Sequence, residues 1–344
     1  MAKKRLRNHI YMRLGDLPGL FDSFGTEDAP GAMPEIQFPG ARSSDPPASA
    51  DEEPIRMDSR HAHRPDRLRF ISFGSGSSGN CAYIGTPSCG LLIDAGVDNK
   101  KIAEYLSRNG IAPSSIAGIL ITHDHGDHVK FAYSLLRRNQ HWRLYATNRV
   151  LGGLLRRHNI SRRIQDYHSA VFKEIPFRVG DMEITAFETS HDATDNVGFS
   201  ISLGETRFVV ATDMGVITER ADYYMRRATS LMIESNYDEH MLRTGHYPEY
   251  LKARILSPTG HHDNVETARY LARIYRPELR HIFLCHLSQD NNTPEIALAA
   301  TMDALTGIGV RVLDPGAPLA AQSDPASVIM TALPRSEPSL MFAL

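Results

Sequence analysis

The sequence predicts an α/β protein in which two sheets pack face to face with helices outside, an αβ/βα sandwich. Three observations predict it. Between residues 67 and 316, short β-like apolar runs alternate with helix-spaced segments, the pattern of a layered α/β fold. Gly-rich turns separate the first runs, so those strands follow one another as a meander. At 344 residues and 42% hydrophobic content, the chain is long enough to bury a core of that size.

Taken in order, residues 1–66 form no part of that pattern. From Leu17 to about Asp66 the chain is loaded with Pro, Gly, Asp, Glu and Ser and has little to bury, so it reads as a flexible extension. Residues 69–73, 81–84 and 90–94 then read as consecutive strands. Residues 99–109 carry Ile102, Ala103 and Leu106 at helical spacing and stop at Gly110. A buried strand over 117–121 runs directly into a histidine cluster. Further strands are expected at 182–188, 198–203, 206–211, 230–234, 281–285 and 310–313. Helices fit 131–139, 149–158, 265–275 and 294–305. Residues 317–344 mix Pro, Ala and Ser without clear period and are expected as a tail, although 327–333 can form a short strand or helix.

The formal charge of −2 offers no global attraction for nucleic acid or an anionic membrane, so any polyanion must be met locally. Cys81, Cys89 and Cys285 are sparse and lack zinc-knuckle spacing, which fits a reducing compartment. The basic start, Met1-Ala-Lys-Lys-Arg-Leu-Arg7, precedes no apolar stretch of signal-peptide length, and no run approaches a membrane span. The expectation is a cytoplasmic protein with no membrane partner.

The chemistry concentrates in Thr122-His-Asp-His-Gly-Asp-His128. Alternate residues on extended backbone project alike, so His123 and His125 can bind one ion while Asp127 and His128 turn toward a second. Three more candidates each follow an apolar strand: His191, Asp213 and His286. A single His or Asp at a strand end is ordinarily a surface residue or a satisfied core residue. Four potential ligands within six positions are not. Imidazole and carboxylate suit zinc first, with manganese or iron as alternatives.

His-x-His-x-Asp-His after an apolar strand, followed by a distant His, Asp and His, resembles the metallo-β-lactamase superfamily, and within it the YycJ/WalJ-like branch. The matching blocks are Ser75-Gly-Ser-Ser-Gly-Asn80, Leu92-Ile-Asp-Ala-Gly96, the cluster itself, Ser190-His-Asp192, Thr212-Asp-Met-Gly215, Glu234-Ser-Asn-Tyr-Asp238, Met241-Leu-Arg-Thr-Gly-His-Tyr-Pro248 and Cys285-His-Leu-Ser-Gln-Asp-Asn-Asn292. The resemblance implies a four-layer sandwich of two mixed sheets. It also implies a binuclear metallohydrolase, a phosphodiesterase and DNA exonuclease acting on single strands or ends. By the same resemblance His123, His125 and His191 hold one metal, Asp127, His128 and His286 the other, Asp213 bridges, and Asp94 supports the cluster without ligating. Gly260-His-His-Asp-Asn264 departs from the pattern, with Asp263 where the branch has serine. A carboxylate near a phosphate site would repel an anionic substrate, which puts the substrate class in question.

Two cations sharing a water would lower its pKa and give a hydroxide nucleophile. Asp127 and His261 are the candidate catalytic residues, His261 as the acid that protonates the departing oxygen, with His262 competing for that role. The Gly74–Asn80 segment reads as a tight turn near the metals before it reads as a phosphate cradle. Arg137, Arg138, Arg143, Arg149, Arg156, Arg157, Arg162 and Arg163 make the stretch after the cluster basic. They form either a solvated face or a polynucleotide track, with Trp142 and Tyr145 offering stacking surfaces. The alternatives to a nuclease are a thioester, lactone or β-lactam hydrolase on the same ions, and a non-catalytic metal-binding regulator. Protein partners are unknown at this level.

Overall fold

A computed structural model describes residues 67–344; the extension expected over residues 1–66 lies outside the described residues. In chain order the elements are β1 (Arg69–Gly74), β2 (Cys81–Gly85), β3 (Gly90–Ile93), α1 (Asn99–Arg108), β4 (Ile116–Leu120), α2 (Gly126–Val129), α3 (Ala132–Arg138), β5 (Arg143–Ala146), α4 (Asn148–Arg157), β6 (His168–Ala170), β7 (Phe177–Val179), β8 (Met182–Glu188), β9 (Val197–Leu203) and β10 (Thr206–Ala211). They continue with α5 (Glu219–Met225), β11 (Ser230–Glu234), α6 (Glu239–Thr244), α7 (Glu249–Ile255), α8 (Asn264–Ile274), β12 (His281–Cys285), α9 (Pro294–Thr306), β13 (Arg311–Leu313), α10 (Leu319–Gln322), β14 (Ser327–Ala332) and β15 (Phe342–Ala343).

The strands form two mixed sheets, ordered β15-β1-β2-β3-β4-β5-β6 and β13-β14-β12-β11-β10-β9-β8-β7. Each begins with an antiparallel meander and continues in parallel: β3, β4 and β5 in the first sheet, β10, β11 and β12 in the second. Period-2 alternation sorts each strand's side chains between two interiors. On β1 and β2, Phe70, Ala82 and Ile84 enter the core between the sheets, whereas Ile71, Phe73 and Tyr83 enter the core beneath α1, α3 and α4. On β10 and β12, Phe208, Val210 and Phe283 face the other sheet, whereas Val209, Ala211, Ile282 and Leu284 face α5, α8 and α9. Three cores therefore separate four layers, the αβ/βα sandwich that the sequence predicts. Burial on both faces also explains why these strands read as unbroken apolar runs.

Residues 317–344 are not a tail. Ser327–Ala332 lies inside the second sheet, parallel to β12 on one side and β13 on the other. Phe342 pairs with Phe70 at the edge of the first sheet and joins the aromatic cluster of Phe70 and Phe283. The compositional reading was misled by the Pro and Ser connectors on either side of Val328, Ile329 and Met330, which are buried. No helix among the described residues is long and apolar enough to cross a membrane.

Candidate metal centre

Parallel strands end on one rim, and the rim collects the polar groups that the apolar strands cannot hold. Asp94 follows β3, residues 122–128 follow β4, Asp213 follows β10, Glu234 ends β11 and His286 follows β12. His191 arrives from β8, whose direction matches β10 because β9 is antiparallel to both. A backbone bond from Val197 N to Thr122 O at 3.0 Å ties the rims of the two sheets together.

All seven candidate ligands meet there. The ligand atoms of His123, His125 and His191 lie within 4.8 Å of one another, as do those of Asp127, His128 and His286, and those of His123, His128 and Asp213. His125 Nδ1 and His191 Nε2 are 3.2 Å apart, close to the roughly 3.3 Å expected of two nitrogens each about 2.0–2.1 Å from one tetrahedral ion. The Nε2 atoms of His123 and His286 are buried and have no hydrogen-bond partner, a costly state for an imidazole nitrogen unless something else binds it. His128 Nε2 sits 3.5 Å from both Asp127 Oδ2 and Asp213 Oδ2. Five of the seven are buried, and His125 and Asp127 form the accessible side. The donor set and its unpartnered atoms fit divalent cations.

The surroundings fix which ring nitrogen faces inward. Asp94 Oδ2 lies 2.8 Å from His128 Nδ1 and also accepts from the Thr122 hydroxyl. The Gly260 carbonyl accepts from His191 Nδ1 at 3.0 Å. Glu234, fully buried, places Oε1 2.9 Å from His286 Nδ1 and 2.7 Å from His261 Nδ1, while its Oε2 accepts from the Met214 amide. Burial opposes ionisation of Glu234, yet the imidazoles of His261 and His286 hold its carboxyl well below the usual range. His128 is pushed the other way: burial disfavours its charge, but the carboxylates of Asp213, Asp94 and Asp127 raise its pKa to about 9. For His123 burial and the neighbouring imidazoles act together and keep the ring neutral.

The His262 ring turns away, with Nδ1 2.8 Å from the Thr267 hydroxyl while its amide donates to Glu234 Oε2, so of the two rings only that of His261 reaches the cluster. Asp263 is the N-cap of α8, its Oδ1 accepting from the amides of Val265 and Glu266 at 2.8 and 3.0 Å. Serine and aspartate are interchangeable in that role, so the departure from the branch pattern is a cap exchange and carries no message about substrate charge. The Gly74–Asn80 segment is a turn closed by Gly79 N to Gly76 O, and Ser75 Oγ accepts from the His286 amide.

Two stacking candidates are corrected. Trp142 is 1% exposed and donates from Nε1 to the Pro113 carbonyl. Tyr145 stacks on Phe177, with ring centroids 5.5 Å apart. Sequence reading also missed Glu234 as a partner of two histidines, although an acid ending the otherwise apolar Ser-Leu-Met-Ile-Glu strand was the available signal. Asn80 was missed too; its Nδ2 donates to Asp127 Oδ2 and lies 3.0 Å from His128 Nε2.

Residues 90–286 match the profile of the β-lactamase superfamily domain. Exodeoxyribonuclease YycJ of Bacillus anthracis is 32% identical over 246 residues, 71% of this chain and 92% of that protein. Exodeoxyribonuclease WalJ of Streptococcus pneumoniae is 31% identical over 256 residues, 71% of this chain and 91% of its own. Among solved structures, the metallo-β-lactamase fold protein YhfI from Bacillus subtilis superposes with a TM-score of 0.57 at 13% identity, covering 81% of this chain and all of that one. Zn(2+)-bound PqqB from Methylobacterium extorquens gives 0.54 at 16% identity, covering 80% and 100%.

Proposed function

Taking as premise that the chain belongs to the β-lactamase superfamily, in the branch of the YycJ and WalJ proteins, we propose that it is a binuclear metal-dependent phosphodiesterase that degrades DNA as an exonuclease from single-stranded or exposed ends. The observation that carries the reading is the pair of buried, unpartnered Nε2 atoms of His123 and His286 within one cluster of imidazoles and carboxylates. On this reading His123, His125 and His191 hold one ion, Asp127, His128 and His286 the other, and Asp213 serves both. Zinc suits the donors best, given five imidazoles and no thiolate. Bound divalent ions supply a water of lowered pKa and neutralise charge on the phosphoryl group.

The chain's own residues then orient and protonate. Asp94, the Gly260 carbonyl and Glu234 fix the ring nitrogens of His128, His191 and His286. Glu234 also holds His261 through Nδ1, which leaves Nε2 of that ring to give a proton to the departing oxygen. Asp127 is half-exposed at the open side, where it faces incoming substrate and the Asn80 amide together. With Asp263 committed to capping α8, nothing at that loop disfavours a phosphodiester.

The test is a substrate panel: the metal-loaded protein and its Asp127→Ala variant, each offered 5′-labelled single-stranded DNA, a chromogenic phosphodiester, a thioester and a lactone. The reading predicts DNA and phosphodiester cleavage by the parent alone. Activity confined to the thioester or lactone would transfer the chain to carboxylic-ester chemistry, and metal binding without any turnover would leave a regulator.

A further inference from the structure

The stretch from Val129 to Gln165 holds nine Lys and Arg residues and neither Asp nor Glu, leaving 29 of the 38 basic residues and all 40 acidic ones to the rest of the chain. Eight of the nine are arginines, and all eight are exposed. A solvated face would pair them. Elsewhere this chain does so: Arg108 with Glu104, Arg226 with Asp222, Arg243 with Glu239 and Arg269 with Glu266 all meet at helical spacing. Among the described residues, Arg157 is the one member of the eight within 4.0 Å of a carboxylate, the buried Asp124 at 3.6 Å. Among the described residues the other seven have no carboxylate within 4.0 Å, and Arg143 donates only to the Asp166 backbone carbonyl at 3.4 Å.

Topology arranges them in a line. β5 runs parallel to β4, so its C-terminal end shares the rim of the histidine cluster. α4 begins at that rim, where the Thr147 hydroxyl donates to Asp195 Oδ2 at 2.7 Å. It ends there too, with His158 Nε2 2.6 Å from the Asp124 carbonyl in the metal loop. The two ends of α4 therefore border the rim, with Arg149 and Arg156 each one residue in from an end. From there the chain returns to the start of β6, which is parallel to β5, through a 3-10 turn at Arg162–Tyr167 that packs on both α3 and β5. That turn brings Arg162 and Arg163 to the flank where Arg137 and Arg138 end α3 and Arg143 begins β5.

We propose that this arginine strip, from α4 at the metal rim down the outer flank to the start of β5, is the track for the phosphate backbone of a single polynucleotide strand whose end lies in the metal centre. The proposal rests on the phosphodiesterase reading. Planar guanidiniums pair with phosphate in two-point fashion, which favours arginine over lysine in such a role. With Trp142 buried and the half-buried Tyr145 stacked on Phe177, the track offers charge without base stacking from those rings, so its grip is independent of sequence and weakens steeply with salt.

The experiment replaces Arg149, Arg156, Arg162 and Arg163 together by Ala in the full, metal-loaded chain, with thermal melting to verify the fold. Binding of a phosphorothioate single strand, which resists cleavage, is measured against salt for a long strand and for a very short one. The slope of log affinity against log salt is expected to fall by roughly 0.7 per arginine removed, about 3 in all, for the long strand only. KM for long single-stranded DNA rises, while turnover of a small chromogenic phosphodiester holds. An unchanged slope for the long strand overturns the track, and so does a variant whose only loss is of binding to anionic lipid vesicles. The two readings fail separately. A wild-type protein that cleaves no phosphodiester sinks the enzymatic reading, whereas DNA cleavage with KM and slope untouched by the four substitutions sinks the track.

Discussion

Asp94, Asp213 and His286 sit at or just past the ends of parallel strands with φ of 60°, 55° and 54°, a left-handed conformation unusual for residues other than glycine. Such strain costs on the order of 1–3 kcal/mol per residue and persists where surrounding bonds over-determine it. Asp94 has Thr122 and His128, Asp213 has four imidazoles within 4 Å, and the His286 amide has Ser75 Oγ. The turn out of each strand is what aims these side chains into the cluster. Asp263 gives the first prediction: Asp263→Ser should leave both melting temperature and DNA cleavage within error, because either side chain caps α8, whereas Asp263→Ala should cost about 1 kcal/mol by denaturant unfolding. A Ser variant with altered substrate preference would contradict the cap assignment. His128 gives the second. Its carboxylate neighbours keep it protonated up to about pH 9 in the metal-free chain, so a proton must leave before Nε2 can bind an ion. His286 is likewise raised well above its ordinary value, burial being outweighed by Asp213, Asp127 and Glu234, so two ligands of one ion shed protons and metal affinity should rise more steeply than tenfold per pH unit above neutrality; titration of the metal-free protein with zinc in a competing chelator measures this, and a flat profile would contradict it.

Elements were legible where burial imposed a period. β1 to β4, β8 to β12, α1, α4, α8 and α9 each have an apolar pattern long enough to read, and their observed bounds fall within a residue or two of the expected ones. β5, β6 and β7 have only three or four residues each, and α5, α6 and α7 six or seven, too few for periodicity to separate from chance. β14 was legible as a run but not as part of the sheet, since pairing between Ser327–Ala332 and β12 is a tertiary fact. The histidine cluster was legible as a grouping because four candidate ligands crowd six positions, while Glu234 and Asn80 were not, because each is a single polar residue whose partners are distant in sequence. The integrated C-terminal segment predicts that deleting residues 317–344 removes a strand paired on both sides and the Phe342 contact, each buried apolar side chain being worth about 1.5–3 kcal/mol. The truncated chain should lose cooperative thermal unfolding in calorimetry; one that melts like the full chain would show these strands to be dispensable.

On the scale of the molecule, neither sheet carries a complete site. The first supplies Asp94 and residues 123–128, the second His191, Asp213, Glu234 and His286. Above the shared apolar core, the two rims are tied by the Val197 to Thr122 backbone bond and by Asp124, whose carboxylate accepts from the amide and hydroxyl of Thr194 at 3.0 and 2.6 Å. Gly153 allows this approach, since a Cβ there would fall 2.0 Å from Asp124 Oδ2. Because the candidate ligands come from both halves, a metal bound there should staple the sandwich together as well as serve chemistry. The most direct measurement is a titration of the metal-free full chain with zinc while cleavage of 5′-labelled single-stranded DNA is followed. No cleavage is expected without metal, and activity is expected to saturate at two equivalents per chain. Cleavage that survives complete metal removal, or that saturates at one equivalent, would contradict this.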